Sequence, residues 1–512
     1  MVAIGRIVNN DKLVGIRVFD TKCLAGNKLY GKTTHFETKD IKIDDASKLD
    51  IKNIDDINKL GIIDNKTKNK PIIVLSYISN KYLTIDINGN VRILDSIDGY
   101  ETIKYLNNEQ KCKRYMAKQE LVGKIFNFRI DSELDRVYLT KYIPSKEDYA
   151  VIEIPSFVTD IEIMNNGVHY SPFSNIIQNL KVIYRGKGLK SVSSMFEEYR
   201  GVELDLSDFN TENVLDFSRM FKGCANLEKL DLSGINTSKA VNMKKLFYGC
   251  IDLERIDMSK FDTSKVTDMS DMFCLCKRIK TLDISNFNTK NVINMNTMFY
   301  SCDSLKELDL GKVDTSMVED MRGMFSECSK LTKINLSSFN TSKVKSMDNM
   351  FSNCGVKELD LSSFDTKNVE SMSSMFSNCL NLCKLNIKNF DTRKVTDMSA
   401  MFRSCESLLK LDLSNFNTKN VTTMNSMFNG CENLEELDIA SFDTSKVEGM
   451  VLMFAYCNSI YRLDLGNFIM KEGIWKESNM FKGTNLSPEN TGLNNASGFK
   501  RNLSNLIRKI RN

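Results

Sequence analysis

Between residues 201 and 480 the apolar positions return on a fixed schedule. The segment FDTSKVTDMSDMFCLC, from Phe261 to Cys276, is followed 26 residues later by FNTKNVINMNTMFYSC, from Phe287 to Cys302. The phenylalanine of each Met-Phe or equivalent pair falls at 196, 221, 247, 273, 299, 325, 351, 376, 402, 428, 454 and 481, a 26-residue spacing with slips of one. A fixed period in this range is the mark of a solenoid, in which each unit buries its apolar side against its neighbours. Within a unit, Leu308-Asp309-Leu310 alternates apolar and polar and predicts a short strand with both leucines inward. The following Ser-x-Phe-Asp-Thr reads as a turn, with the threonine placed to cap a helix. Val266, Met269, Met272, Phe273 and Cys276 then sit at spacings of 3, 3, 1 and 3, which predicts one face of a short helix.

The expected fold class is therefore an α/β repeat solenoid, leucine-rich-repeat-like, with one short parallel strand and one short helix per 26-residue coil. About eleven coils fill 201–480. Their strands are expected to form a parallel ladder about 50 Å long, and the helical side to spread to about 10 Å per coil. Residues 151–200 read as an N-terminal cap, because GLKSVSSMF (Gly188–Phe196) is already in register while Tyr199 replaces the cysteine. Residues 481–512 read as a C-terminal cap with a basic amphipathic helix carrying Leu503, Leu506, Ile507 and Ile510. Residues 1–150 read as a separate α+β domain of unknown role, with hairpins around Asn9-Asn10-Asp11 and Asn88-Gly89-Asn90.

The words LDLSSFDT (Leu359–Thr366), FDTSKVTDM (Phe261–Met269) and MFSNC (Met350–Cys354) resemble the BspA-like leucine-rich-repeat surface proteins of bacteria. The resemblance implies a leucine-rich-repeat-type solenoid, a cell-surface role in adhesion or protein binding, and no catalytic residues to transfer.

Composition adds limits. The chain has 512 residues and a net charge of +4, too little to predict nucleic-acid binding. No apolar run approaches the ~18 residues of a membrane span. The sequence shows no signal peptide or wall anchor, which leaves location open between the cell surface and the cytoplasm. With two histidines, His35 and His169, the usual acid–base and zinc chemistries find no cluster, and no glycine-rich phosphate loop or nucleophile elbow appears. No cofactor is expected.

Three columns carry what chemistry there is. The cysteines from Cys224 to Cys457 lie three residues after each phenylalanine and read as buried thiols of the core rather than a metal or redox array. The threonines, Thr211 to Thr444, read as helix caps. The third column is outward-facing aspartate in mid-strand, where Asp is disfavoured. Asp231, Asp257, Asp283, Asp309, Asp360, Asp412 and Asp438, joined by Glu307, Glu358, Glu436 and Arg255, are the candidate partner-binding residues. Three causes stay open for the column: local hydrogen bonding, a cation such as calcium, or a partner surface. Serine two positions on is not obligatory, since Gly311, Ala440 and Gly466 also occur there. The array 201–480 has a net charge of about −6, which suggests a cationic macromolecular partner. The expected function is a non-enzymatic, protein-binding or adhesion-type repeat protein. Two alternatives are an enzyme or effector module in 1–150 that the solenoid targets, and a structural spacer.

Overall fold

The structure is a computed structural model. It describes 2–9, 12–20, 39–42, 72–75, 82–85, 91–94, 108–120, 125–131, 133–134, 136–143, 149–161, 164–165, 168–169, 171–461, 463–469, 479–487 and 490–492. By compactness the chain divides into two units, Met1–Tyr115 and Met116–Asn512.

In the first unit six strands form one sheet. They are β1 (Val2–Asn9), β2 (Lys12–Asp20), β3 (Lys39–Lys42), β4 (Ile72–Leu75), β5 (Tyr82–Ile85) and β6 (Val91–Leu94), in the order β3-β2-β1-β4-β5-β6. β1 pairs antiparallel with β2, and β5 antiparallel with β6, across the two places where the sequence predicts hairpins. β1 and β4 are parallel neighbours. Helix α1 (Asn108–Glu120) follows.

A separate α+β domain over 1–150 is not supported. β7 (Ile125–Asp131) and β8 (Arg136–Ile143) pair antiparallel within the second unit, where β10 (Asp160–Ile161) also runs parallel to β8 and β11 (Met164–Asn165) pairs antiparallel with β12 (Val168–His169). β9 (Tyr149–Ile154) joins the parallel sheet from which the repeats grow, in the order β15-β14-β13-β9, with β13 at Asn179–Tyr184, β14 at Glu203–Asp205 and β15 at Lys229–Asp231. The aromatic column also begins upstream of the repeat. Phe173 lies 5.0 Å from Phe196, centroid to centroid, and Tyr142 lies 5.7 Å from Phe173. Tyr199, which stands in the cysteine position, sends its hydroxyl to the Gln178 carbonyl at 2.6 Å.

The second unit is a β-solenoid of about eleven turns, and the helix expected in each coil is absent. The array holds no α-helix among the described residues. An α-helix directs every N–H to the carbonyl four residues back. Here the N–H groups alternate between two destinations. Those of Met269, Asp271, Phe273 and Leu275 donate to Asn294, Asn296, Met298 and Tyr300 of the next coil at 2.8–3.1 Å. Those of Met272, Cys274 and Cys276 close tight turns onto the carbonyls three residues back. Two residues per coil hold the chain in this path with left-handed backbone, such as Asp271 (φ 57°) and Leu275 (φ 62°). The 3, 3, 1, 3 spacing thus belongs to linked turns whose apolar side chains still point one way.

Because no helix widens that side, coils stack closely there. The phenylalanine rings form a continuous stack from Phe196 to Phe481, with centroids 5.4–6.1 Å apart. The expected spread of the helical side is therefore overturned. Parallel bridges run without a break along it, from Ser191 through Asp268 to Gly449.

On the opposite side, beyond β15, the leucine strands pair in twos rather than in one ladder. β16 (Glu307–Asp309) pairs with β17 (Lys333–Asn335), β18 (Glu358–Asp360) with β19 (Lys384–Asn386), and β20 (Lys410–Asp412) with β21 (Glu436–Asp438). Inside, Val, Met, Phe and Cys of successive coils are buried; Val266, Met269, Met272, Phe273 and Cys276 are each 0% exposed. Burial at this density supplies the drive that a single coil lacks.

Candidate functional site

The candidate face begins with the strand pattern. In β16, Leu308 is buried while Glu307 and Asp309 are exposed, and β18, β20 and β21 repeat the alternation. Successive coils therefore present two outward columns, one led by Glu307 and one by Asp309. All eleven candidate residues lie on these columns and all are exposed.

The aspartate column has a local cause. Asp231 Oδ1 accepts the Ser233 N–H at 2.8 Å, Asp257 that of Ser259 at 3.0 Å, and Asp283 that of Ser285 at 2.9 Å. Asp309 accepts from Gly311 at 2.9 Å, Asp360 from Ser362 at 3.0 Å, Asp412 from Ser414 at 3.0 Å and Asp438 from Ala440 at 3.1 Å. The donor is the backbone N–H two residues on, which every non-proline residue carries. Serine is therefore dispensable at that position. The asparagines that interrupt the column do the same and also pair sideways: Asn335 Nδ2 donates to Asp309 Oδ1 at 2.7 Å, and Asn386 Nδ2 to Asp360 Oδ1 at 2.9 Å. The backbone N–H of Ser259 holds the Asp257 carboxyl below its ordinary value, and Ser285 does so for Asp283. Ser362 and Ser414, through hydroxyl and N–H, lower Asp360 and Asp412.

The glutamates of the other column form ion pairs between coils. Glu307 meets Lys333 at 2.6 Å, Glu358 meets Lys384 at 2.7 Å and Glu436 meets Lys410 at 2.7 Å. Arg255 stands exposed in the same column. Arg462 lies outside the described residues, as do Trp475, Glu477 and the amphipathic segment after 492. Between β15 and the next coil, where strand pairing lapses, an open groove of about 420 Å³ is lined by Asp205, Lys229, Asp231, Asp257, Ser259 and Lys260. Among the described residues no group of three or more His, Cys, Asp or Glu side chains is placed to hold a metal ion.

The other two columns turn inward. Nine of the ten ladder thiols, all but Cys354, reach a phenylalanine carbonyl of the preceding coil, as Cys302 Sγ does to Phe273 at 3.3 Å and Cys431 Sγ to Phe402 at 3.0 Å. No disulfide forms among the described cysteines. Burial pushes the Cys354 thiol up to about 12. The threonines do not cap helices. Thr263 Oγ1 donates to the Asn288 carbonyl and accepts the Asn288 N–H, so it staples one coil to the next. That role was not legible from one coil, because both partners lie 25 residues away.

Taken together, these features define a parallel β-solenoid with leucine-rich-repeat-like coils and charged outward columns. The chain belongs to a family described as Mycoplasma protein of unknown function, DUF285, whose profile matches residues 190–308, 301–384 and 376–495. No curated protein matches it. A leucine-rich repeat protein from Eubacterium ventriosum is similar at 15% identity and a TM-score of 0.35, over 71% of this chain and 96% of that one. One from Bacteroides ovatus shows 16% identity and 0.23, over 56% and 92%. The leucine-rich repeat protein of T. pallidum shows 12% and 0.15, over 55% and 87%. At these scores none of the three overlaps bears on function. The family shown is the Mycoplasma one, and the BspA-like resemblance stands only as a likeness of repeat fold.

Proposed function

We propose that this chain is a non-enzymatic binding protein of adhesion type, which presents its strand-side columns to a protein partner of cationic character. The observation that supports this reading is the persistence of the outward columns. Coil after coil, Glu307, Asp309, Glu358, Asp360, Lys410, Asp412, Glu436 and Asp438 stay exposed over a closely packed interior. Asx turns and cross-coil ion pairs hold them in register, so little side-chain freedom remains to be lost on binding. The array's net charge of about −6 favours a basic partner and quickens encounter with it. Surface placement, implied by the BspA-like resemblance, belongs to the same proposal.

The test uses the full chain beside an E307K/E358K/E436K variant of equal thermal stability. Both are immobilised and exposed to solubilised surface proteins of candidate host cells, and captured proteins are identified. A specific set captured by the parent and lost from the variant supports the reading. Identical capture by both sinks it. Protease treatment of intact cells that leaves the chain uncut would remove the surface placement.

A further inference from the structure

The turn after each stapling threonine has two positions at the surface, and they hold a second charge pattern. In Ser238-Lys239, Ser264-Lys265, Ser342-Lys343 and Ser445-Lys446 the basic residue is the second of the two. In Lys290-Asn291, Lys367-Asn368 and Lys419-Asn420 it is the first, and Arg393-Lys394 has both. Of the nine coils from Thr237 to Thr444, only that of Thr315, with Ser316-Met317, lacks one. All of these basic residues are exposed. The charge recurs although its position shifts.

Local structure accounts for the position but not for the charge. Second-position side chains reach back to the coil before: Lys265 Nζ donates to the Ser238 carbonyl at 3.0 Å, and Asn291 Nδ2 donates to the Ser264 carbonyl at 2.7 Å. Asparagine therefore does the same structural work as lysine. Yet where asparagine takes the second position, a lysine stands in the first. There Lys419 Nζ has no hydrogen-bond partner among the described residues and lies near Asp443 only. Lys394 and Lys446 end on the neutral Oδ1 atoms of Asn368 and Asn420, each at 2.7 Å. Aspartates before the threonines offset part of the charge: Asp365 pairs with Lys367 at 2.8 Å and Asp391 with Arg393 at 2.6 Å. Five such aspartates against nine basic side chains leave this edge positive, in an array whose net charge is about −6. On the flanks, exposed Glu319, Glu370 and Glu448 are matched by exposed Lys312, Lys345 and Lys388.

A row with one cation per coil, or one per about 4.8 Å, fits a linear polyanion. Duplex DNA carries its charge on a winding path, one per ~1.7 Å of axis, and leaves such a row after a few steps. A single strand stacks its bases on aromatic side chains, and these positions have none. An extended chain of pyranose rings advances by a step close to one coil. Sulfate groups spread around each ring can meet a lysine in either of the two positions, and the hydroxyls and amides of Ser342, Asn368 and Asn420 suit the sugar hydroxyls. We propose that the turn edge from Lys343 to Lys446, where no coil lacks a cation, binds a linear sulfated polysaccharide. The inference uses another face and the opposite charge from the proposed function and stands apart from it.

The test is fluorescence anisotropy of a labelled heparin oligosaccharide titrated with the full chain at several salt concentrations. Saturable binding is expected, weakening as salt rises because exposed charge pairs are screened. K367Q/K394Q/K419Q/K446Q should raise the dissociation constant about tenfold or more. K277Q/K306Q/K330Q/K357Q removes the same charge from the loops between ladder cysteine and strand, and should change it less than about twofold. K367R/K394R/K419R/K446R keeps the charge and should bind like the parent. No binding by the parent, equal losses in the two glutamine variants, or an arginine variant as weak as its glutamine counterpart overturns the proposal. A labelled single-stranded DNA of equal charge that binds as tightly, with the same loss in the K367Q/K394Q/K419Q/K446Q variant, overturns the choice of polysaccharide.

Discussion

Thr418 and Asp443 occupy successive coils and share a reciprocal pair of hydrogen bonds. The Thr418 hydroxyl donates to the Asp443 carbonyl at 2.9 Å and accepts the Asp443 N–H at 2.8 Å. Thr418 is 1% exposed, so water has little access to the hydroxyl. Thr418→Val keeps the shape and leaves both backbone groups without a partner, which should cost about 2–3 kcal/mol. Thr418→Ser keeps the bonds and should cost less than about 1 kcal/mol. Hydrogen exchange at the Asp443 amide, beside the denaturation midpoint of the full chain, checks this. Unchanged protection in the valine variant would show that the staple carries no weight.

The aspartate column makes stability depend on acid. Asp257, Asp283, Asp360 and Asp412 have folded-state values held below the ordinary 3.8 by their turn hydrogen bonds. The unfolded chain therefore binds more protons than the folded one in that range. Their contribution is fully present above the unfolded value and is lost as pH falls through the lower folded values. The melting temperature should be level from neutrality to about pH 5 and fall below about pH 4. Replacing all four by asparagine, which already serves at Asn335 and Asn386, should lessen that decline while keeping the fold, the remainder belonging to other lowered carboxylates such as Asp262, Asp314 and Asp443. An equally steep decline in the fourfold variant would assign acid sensitivity to other groups.

Much of the solenoid is legible in the sequence because its period is long and its apolar letters are few. Phe273 and Cys276 can recur every 26 residues only if each coil buries against the next. The path of the chain between them is not legible. Met269, Met272 and Phe273 at spacings of 3 and 1 suit a helix and suit linked turns equally, because both return a side chain to the same face about every third residue. What separates the two is left-handed backbone at two positions per coil, which Gly223 or Asn353 would suggest but which Leu275, Thr297 and Ala400 do not announce. The candidate site divides in the same way. Exposure of Asp309 and Glu307 follows from strand alternation, while the Gly311 N–H that holds Asp309 is backbone and invisible to side-chain patterns.

The ladder thiols should be chemically silent in the folded chain. Burial holds Cys354 and Cys457 up at about 12, and only the thiolate reacts readily. Cys383 is exposed, and its thiol bonds the Lys357 carbonyl at 3.3 Å. Titration of the full chain with a thiol reagent, in a Cys23→Ser background, should give one fast site, removed by Cys383→Ser. Denaturant should then release the ladder together, since neighbouring coils share one core. Rapid native labelling of several ladder cysteines would mean that the coils open far more readily than their packing implies.

The left-handed positions give the sharpest choice between the helix suggested by the spacing and the turns in the structure. Ala400 has φ 53°, a region that costs a residue with a Cβ about 1–2 kcal/mol. Ala400→Gly should therefore be neutral or stabilising by up to about 1 kcal/mol, after the added freedom of the unfolded chain is counted. In a helix the same change would destabilise by about 1 kcal/mol, so even the sign discriminates. Ala400→Val should destabilise, because a β-branched side chain is poorly tolerated there. Gly430, at φ 76°, is the counterpart: a Cβ would lie 3.1 Å from Ser404 Oγ, so Gly430→Val combines strain with crowding and should cost more than Ala400→Val. Denaturation midpoints of the three variants decide it. Loss of stability in Ala400→Gly, with Ala400→Val unchanged, would return the Met-Phe segment to a helix and undo the alternating hydrogen-bond path on which the tight stacking of the coils depends.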